Sequence, residues 1–346
     1  MTQTAAPTVP SHSLHRHALR LLSRLSWLEL VGLALFMVLL FLTIFGEFLA
    51  PYPTQTADPS HILLPPNAAH WFGTDNNGMD VLSRILAAPR TDVLIAVIAS
   101  FISVAVGVPL GVTVGYFEGT SNRLASLLGE AFLRVLDVIQ AFPVFILAMV
   151  LVAIRGANVI NVVAAIAFVN IPVFLRLVRS EILSLRRRPY AEAARVIGNH
   201  DLGIAFKHLL PNALPPVIVQ ISVTIGFAIL LTAGLSFVGA GVAPPTPELG
   251  SMISTGAKSL IIDQWWPSLF PGIALGMTVF SFGVAGEVFG KLLDPSWRRA
   301  DVAVRRLDLG VTIEHAPSDA TLQVAGPEPV IPLPATTMLS DTDADL

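Results

Sequence analysis

"VLIAVIASFISVAVGVPLGVTVGY", residues 93–116, carries no charged side chain. At the helical rise of 1.5 Å per residue it is about 36 Å long, enough to cross a hydrocarbon core of about 30 Å. Gly107, Gly111 and Gly115 recur at a spacing of four, so one face of this helix is nearly bare backbone on which another span can pack closely. Pro109 on the same helix is placed to kink it. The surrounding chain repeats the theme. Of 346 residues, 53% are hydrophobic and 13% charged, about half the charged share of a soluble domain, which is about 25%. An all-α, polytopic membrane protein is predicted. The absence of cysteine excludes a disulfide framework, thiol chemistry and Cys-ligated metal.

Apolar runs place six spans, at about 27–50, 93–116, 132–154, 158–177, 214–242 and 269–293. The first follows a basic arm, 1–26, containing Arg16, Arg20 and Arg24. It is longer than the apolar core of a signal peptide, and Pro51 follows at once, so it is expected to remain as a helix. A Pro-rich, strand-poor segment covers 51–92. Beyond Pro295 the composition turns to acidic, Pro, Ala and Thr residues with no apolar period, and 296–346 is expected to be a mostly disordered tail.

The net charge of −3 does not orient the chain; the location of its cations does. With the N-terminus inside, that side collects both basic ends, Arg123, Arg134, Arg176, Arg179, Arg186, Arg187, Arg188, Arg195, Lys207 and Lys291. The other side holds Arg84, Arg90, Arg155 and Lys258. Both termini and a loop at 179–212 are therefore expected in the cytoplasm.

Within that loop lies "PYAEAARVIGNHDLGIAFKHLLPN", residues 189–212. Pro189 suits the first position of a helix, and Gly198 suits its end. Asp201 is placed to cap a second helix at about 202–210, which Pro211 is expected to stop. Ala191, Ala193 and Ala194 give a small-residue surface, with Glu192 offering one charge to a basic partner. Helices that rest on lipid carry bulky Trp, Phe or Leu anchors. The alanines favour a protein partner, while a simple amphipathic connection remains open at this level.

These residues carry a resemblance. Glu192-Ala193-Ala194, then Gly198, then Leu210-Pro211 resemble the EAA loop of ABC importer permeases, with His208 where the family usually has Ile. "HLLPN" is similar to the branch that imports dipeptides, oligopeptides and nickel. "HWFGTDNNGMDVLSR", residues 70–84, resembles a segment of that branch, matching it at Gly73, Thr74, Asp75, Gly78 and Asp80, with Met79 in place of Arg. "LSFVGAGVAPPTPELGSMI", residues 235–253, resembles another, with Leu249 in place of Trp. "LLDPSWR", residues 292–298, resembles the family's ending, with Gly290-Lys291 in place of Arg-Asp. The four segments, from about 70 to 298, fit the C-type permease of a heterodimeric pair; the tail has no counterpart.

The resemblance implies a permease subunit of an ATP-driven importer of peptides or peptide-like substrates, in a bacterial inner membrane. Its implied partners are a paralogous permease, two ABC ATPase subunits, an extracytoplasmic substrate-binding protein and membrane lipid, with no nucleic acid. Glu192, Ala193, Ala194, Gly198, Asp201, Leu210 and Pro211 would then couple to the ATPase. No catalysis and no cofactor are implied in this chain, ATP and Mg belonging to the partner subunits. "GAKS", residues 256–259, lacks the Gly-Lys adjacency of a phosphate loop.

Polar groups inside spans are functional candidates because they are costly in lipid. Asp137, Gln140, Asn170 and Gln220 are candidates for the translocation path, and Asn161 and Glu287 are weighed with them. For Asp137 and Glu287, near the cytoplasmic ends of their spans, helix-end or inter-helix contacts are favoured over substrate contact. The eight histidines are scattered without a fixed ligand set, so no metal site is expected. A secondary transporter or channel subunit uncoupled from ATP is the competing class, although the Glu192 to Pro211 spacing has no reason to occur there. A nickel chelate or haem is the alternative cargo.

Overall fold

In the computed structural model several helices begin where a polar side chain satisfies their first amides. The structure describes residues 25–118 and 123–293; the expected basic arm up to Arg24 and the tail lie outside them. Helix α1 spans Trp27–Leu49. Ser26 Oγ accepts from the Glu29 amide at 3.3 Å, and a Glu29 carboxylate oxygen accepts from the Ser26 amide at 2.7 Å. This reciprocal capping box satisfies two amides at the helix start.

Helix α2, Val81–Phe117, is capped by Asp80, whose carboxylate accepts from the Ser83 amide at 2.8 Å. It therefore begins well before the expected Val93: the Pro-rich irregular segment ends at Asp80, and Pro89 is taken inside the helix. The expected third span is two helices, α3 at Arg123–Gln140 and α4 at Val144–Arg155, bent by 89°. Pro143 explains the break, because it has no amide to continue the ladder and pushes Phe142 out of the helical region.

Helix α5, Val159–Leu185, starts at Asn158, which accepts from the Asn161 amide at 2.9 Å. A short helix α6, Pro189–Val196, follows. Helix α7 then runs from Asp201 to Phe237. Pro211 does not stop it, contrary to the sequence expectation. Residues 204–209 form a π turn in which the Leu210 amide bonds Ala205 five residues back. The ladder changes partner there, immediately before the proline that cannot donate to it. Helix α8, Leu249–Ala257, lies in what reads as a loop, and α9 covers Trp266–Leu293.

Among the described residues five helices are long and apolar enough to cross a membrane, or six if α3 and α4 form one broken span. Among the described residues there is no strand, only a bridge between Thr74 and Asp80. The expected all-α membrane class holds. Large apolar side chains such as Phe41, Phe48, Phe101, Ile160 and Ile273 point outward, the arrangement lipid solvates and water does not.

Helix α2 is the axis: it packs along α5 and also against α1 and α7, while α9 closes against α7, α1 and α8. A Cβ on Gly107, Gly111 or Gly115 would sit 2.7, 2.6 or 2.9 Å from the carbonyl oxygens of Ile171, Leu175 or Arg179 on α5. The spacing of four is therefore a packing seam. Ser103 Oγ reinforces it by donating to the Ala167 carbonyl at 3.0 Å. The apolar core has three parts: a middle one around Ile166 and Ile229, one at the α8 end around Val81 and Leu249, and one under α6.

Candidate docking loop and path residues

Between α5 and α7 the chain turns through a loop held by backbone hydrogen bonds at the end of α6. Gly198 takes φ +87°, a left-handed value at which a Cβ is strained. Its amide donates to the Arg195 carbonyl at 2.9 Å and that of Asn199 to the Ala194 carbonyl at 3.2 Å. This pair of bonds is a Schellman ending, which satisfies the last carbonyls of α6.

The alanines divide between the two sides of α6. Ala191 and Ala194 are buried in the chain's own core with Tyr116, Ile182, Ile204 and Leu209, so they are not an outer surface. Glu192 and Ala193 remain exposed. The outward face is instead built by Val196 at 88% exposure, Ile197 at 80% and Leu202 at 53%. These bulky aliphatics at the tip were not singled out from the sequence; their i, i+1 placement next to Gly198 falls outside any helical stripe.

Asp201 is the first residue of its helix and not its cap, a position held by His200. Its carboxylate accepts from the Tyr116 hydroxyl at 2.7 Å. Leu210 and Pro211 are at the start of the regular part of α7, over the buried Leu209. At the loop's root, Arg186 donates to the Gly115 carbonyl at 3.4 Å, the Tyr116 carbonyl at 2.9 Å and, in a close contact, the Glu118 carbonyl. A cation there complements the negative end of α2. Burial, and then the charge of Arg187, lower the Arg186 pKa, while Glu118 opposes this; a guanidinium remains protonated regardless.

Three of the four path candidates gather around Arg176. A 510 Å³ cleft between α3 and the α2–α5 pair is lined by Glu118, Glu130, Arg134, Asp137, Arg176 and Arg179. Within it Arg176 donates to Asp137 at 2.6 Å, and Arg179 grips both oxygens of Glu118 at 2.7 Å. A neighbouring 530 Å³ cavity at the α3–α4 bend includes Gln140, Asn170, Arg176 and Phe227. Asn170 is buried and donates to the Ile166 carbonyl at 3.0 Å. Gln220 lines neither cavity and donates to Thr224 Oγ1 at 3.2 Å. Arg176 was counted in the sequence only as an orienting charge; its central place depends on the bend.

Other candidates are spoken for. Asn161 donates to the carbonyls of Arg155 and Gly156, both at 2.9 Å, closing α4. Lys291 joins Glu287 at 2.9 Å and makes a close ion pair with Glu29, tying α9 to α1.

The Gly73 to Asp80 segment folds as a self-bonded turn that starts α2. Gly73 and Gly78 have φ +72° and +75°. Buried Thr74 accepts from the Leu64 amide at 2.8 Å and takes the Trp266 indole on its carbonyl at 3.1 Å. Asp75 accepts from the amides of Asn77 and Met79 at 2.8 and 2.9 Å. Asp80 also accepts from Ser83 Oγ at 2.6 Å and bonds His70 Nδ1 at 2.9 Å. Met79 is buried against Arg84, whose guanidinium also donates to the Thr54 carbonyl at 3.0 Å. Glu248, wholly buried, caps α8 through the amides of Gly250 and Ser251 at 2.9 and 2.6 Å, and burial raises its carboxyl pKa. Leu249 is buried too, and its amide donates to Asp92 on α2 at 3.3 Å. Among the described residues no group of His, Cys, Asp and Glu is placed to hold a metal ion.

Compared with known families, residues 107–299 match the family described as "Binding-protein-dependent transport system inner membrane component". Residues 24–66 match the "N-terminal TM domain of oligopeptide transport permease C". The chain belongs to the binding-protein-dependent permease family. A probable D,D-dipeptide transport system permease protein of Escherichia coli strain K12, DdpC, is 35% identical over 268 residues, covering 78% of this chain and 87% of that protein. The glutathione transport system permease protein GsiD of Pectobacterium atrosepticum is 36% identical over 267 residues, 77% of this chain and 86% of that protein. This permease is thus an inner-membrane subunit of ABC import systems, in a family that is not itself catalytic and works with ATPase and substrate-binding partners. The match from 107 to 299 includes both the loop and the charged cleft.

Proposed function

We propose that this permease forms one half of the path by which peptides or peptide-like molecules enter the cell, and that residues 189–212 dock it to an ATPase subunit. The observation that carries this reading is the outward face of the loop. Val196 and Ile197 stand 88% and 80% exposed at the tip of a short, capped helix, beside the exposed Glu192. Fully exposing two branched aliphatics on a rigid tip costs each about 1.5–3 kcal/mol of burial, which a groove in a partner recovers. Glu192 and Ala193 complete that face, Gly198 fixes its angle, and Leu210 and Pro211 hand its displacement to α7.

The excess of Lys and Arg at the loop end supports a cytoplasmic loop with both termini on the same side, hence a permease domain from 27 to 295 between a cytoplasmic arm and tail. Two ATPase subunits would hold ATP and Mg, a paralogous permease would complete the path, and a binding protein would deliver cargo at the Gly73–Asp80 side. Peptide cargo is supported by the dipeptide and glutathione relatives. It is also supported by a path surface where Asp137 and Arg176 offer both signs of charge to a zwitterion. A ligand or partner shifts a conformational equilibrium only through unequal interaction with its two states, so the loop must hold its partner while the spans rearrange.

Glu192→Lys and Gly198→Pro are expected to insert normally in the membrane but to lose ATPase co-purification and uptake. Retention of both by both variants would refute the docking assignment.

A further inference from the structure

The loop is covalently continuous with α5 and α7, but α2 reaches it only through side chains. At the end of α2, Tyr116 is 2% exposed, and its hydroxyl donates to Asp201 at 2.7 Å across the boundary between the helix bundle and the loop. The Arg195 guanidinium, on α6, lies 5.9 Å from the Tyr116 ring centre. Arg186 and Arg179 hold the same helix end through its carbonyls and through Glu118. The ring belongs to a buried apolar cluster with Ala191, Ala194, Ile204 and Leu209, and apolar burial is non-directional. A phenylalanine would fill this pocket as well. The hydroxyl adds direction, and Asp201 is free to receive it because the helix start it occupies does not use its side chain as a cap.

We propose that Tyr116 is a positioning residue for the transport cycle, fixing the docking loop to α2 through Asp201 so that α2 follows the loop together with α7. The proposal rests on the docking role of the loop. Helix α2 is about 55 Å long at 1.5 Å per residue, and about 36 Å along it from Tyr116, Asp92 accepts from the Leu249 amide of α8. A displacement of the loop is thereby carried along α2 to its contact with α8.

The chain has no cysteine, so spin labels at Thr113→Cys and Asn199→Cys report the α2-to-loop separation in the complete importer, assembled with cysteine-free partners in nanodiscs. The probe is ATP trapped with orthovanadate, compared with the nucleotide-free complex. With Tyr116 present, the separation is expected to agree between the two states within about 2 Å, the scale of helix shifts at packed interfaces. In Tyr116→Phe and Asp201→Ala it is expected to differ by more than that, while Asp201→Asn, whose amide oxygen still accepts the hydroxyl, behaves as the parent. Equal behaviour of Tyr116→Phe and the parent, or a parental separation that itself changes between states, overturns the bracket. ATPase co-purification is read separately on every variant and on Glu192→Lys. If Glu192→Lys keeps the ATPase, the docking reading has failed; if it loses the ATPase and Tyr116→Phe matches the parent, the bracket alone has failed.

Discussion

Gly111 shows what a single residue decides here. A Cβ at this position would stand 2.6 Å from the Leu175 carbonyl, with Val178 also within 2.9 Å, and both neighbours belong to a helix that cannot retreat without losing its own contacts. Gly111→Leu is expected to cost about 1–3 kcal/mol by overpacking, seen as a lower thermal aggregation temperature in detergent. An unchanged temperature would mean that the α2–α5 seam is looser than the structure has it. This seam was legible in the sequence because a spacing of four is a local pattern. The direction of Ala191 and Ala194 was not: alanines on a short helix fit an inward or an outward face equally, and burial beside Tyr116 decides it. Asp201 teaches the same lesson, since the pattern that marks a cap also fits a residue whose partner lies 85 positions away.

At the scale of elements, existence was easier to read than ending. Spans one, four and six begin near where their apolar runs begin, because lipid selects for length and composition directly. Proline was the misleading signal. Pro89 and Pro211 sit inside continuous helices, whereas Pro143 breaks one by 89°. The difference lies in what surrounds each: a π turn precedes Pro211, and a non-helical Pro143 starts a new helix with extended ψ. Pro143→Ala restores the missing donor and should straighten α3 onto α4. Labels at Glu130→Cys and Ile154→Cys would then move from about 25 Å apart, the span of two perpendicular arms, toward about 36 Å, that of one straight helix. A distance unchanged by the substitution would show that the neighbours, and not proline, hold the bend. Helix α8 escaped notice because its nine residues are too few for a periodic signal, and its cap, Glu248, is recognisable only once buried.

For the whole molecule, composition alone was enough to name the solvent, and the Glu192 to Pro211 spacing together with three further matched segments between about 70 and 298 pointed to the family that the comparisons show. What the chain does within an assembly was less legible, since its working surfaces are completed by other subunits. The charged cleft around Arg176 is lined by α3, which meets α4 at 89°, a bend no run of residues announces. The proposed contact between the loop tip and an ATPase is the point on which the importer reading turns. The most direct measurement is a site-specific cross-link from Ile197→Cys, with Asn76→Cys at the opposite end of the bundle as control, using a bifunctional maleimide on the purified importer. An adduct with an ATPase subunit is expected from position 197 and none from position 76. No adduct from 197, or an ATPase adduct from 76, would contradict the proposed contact.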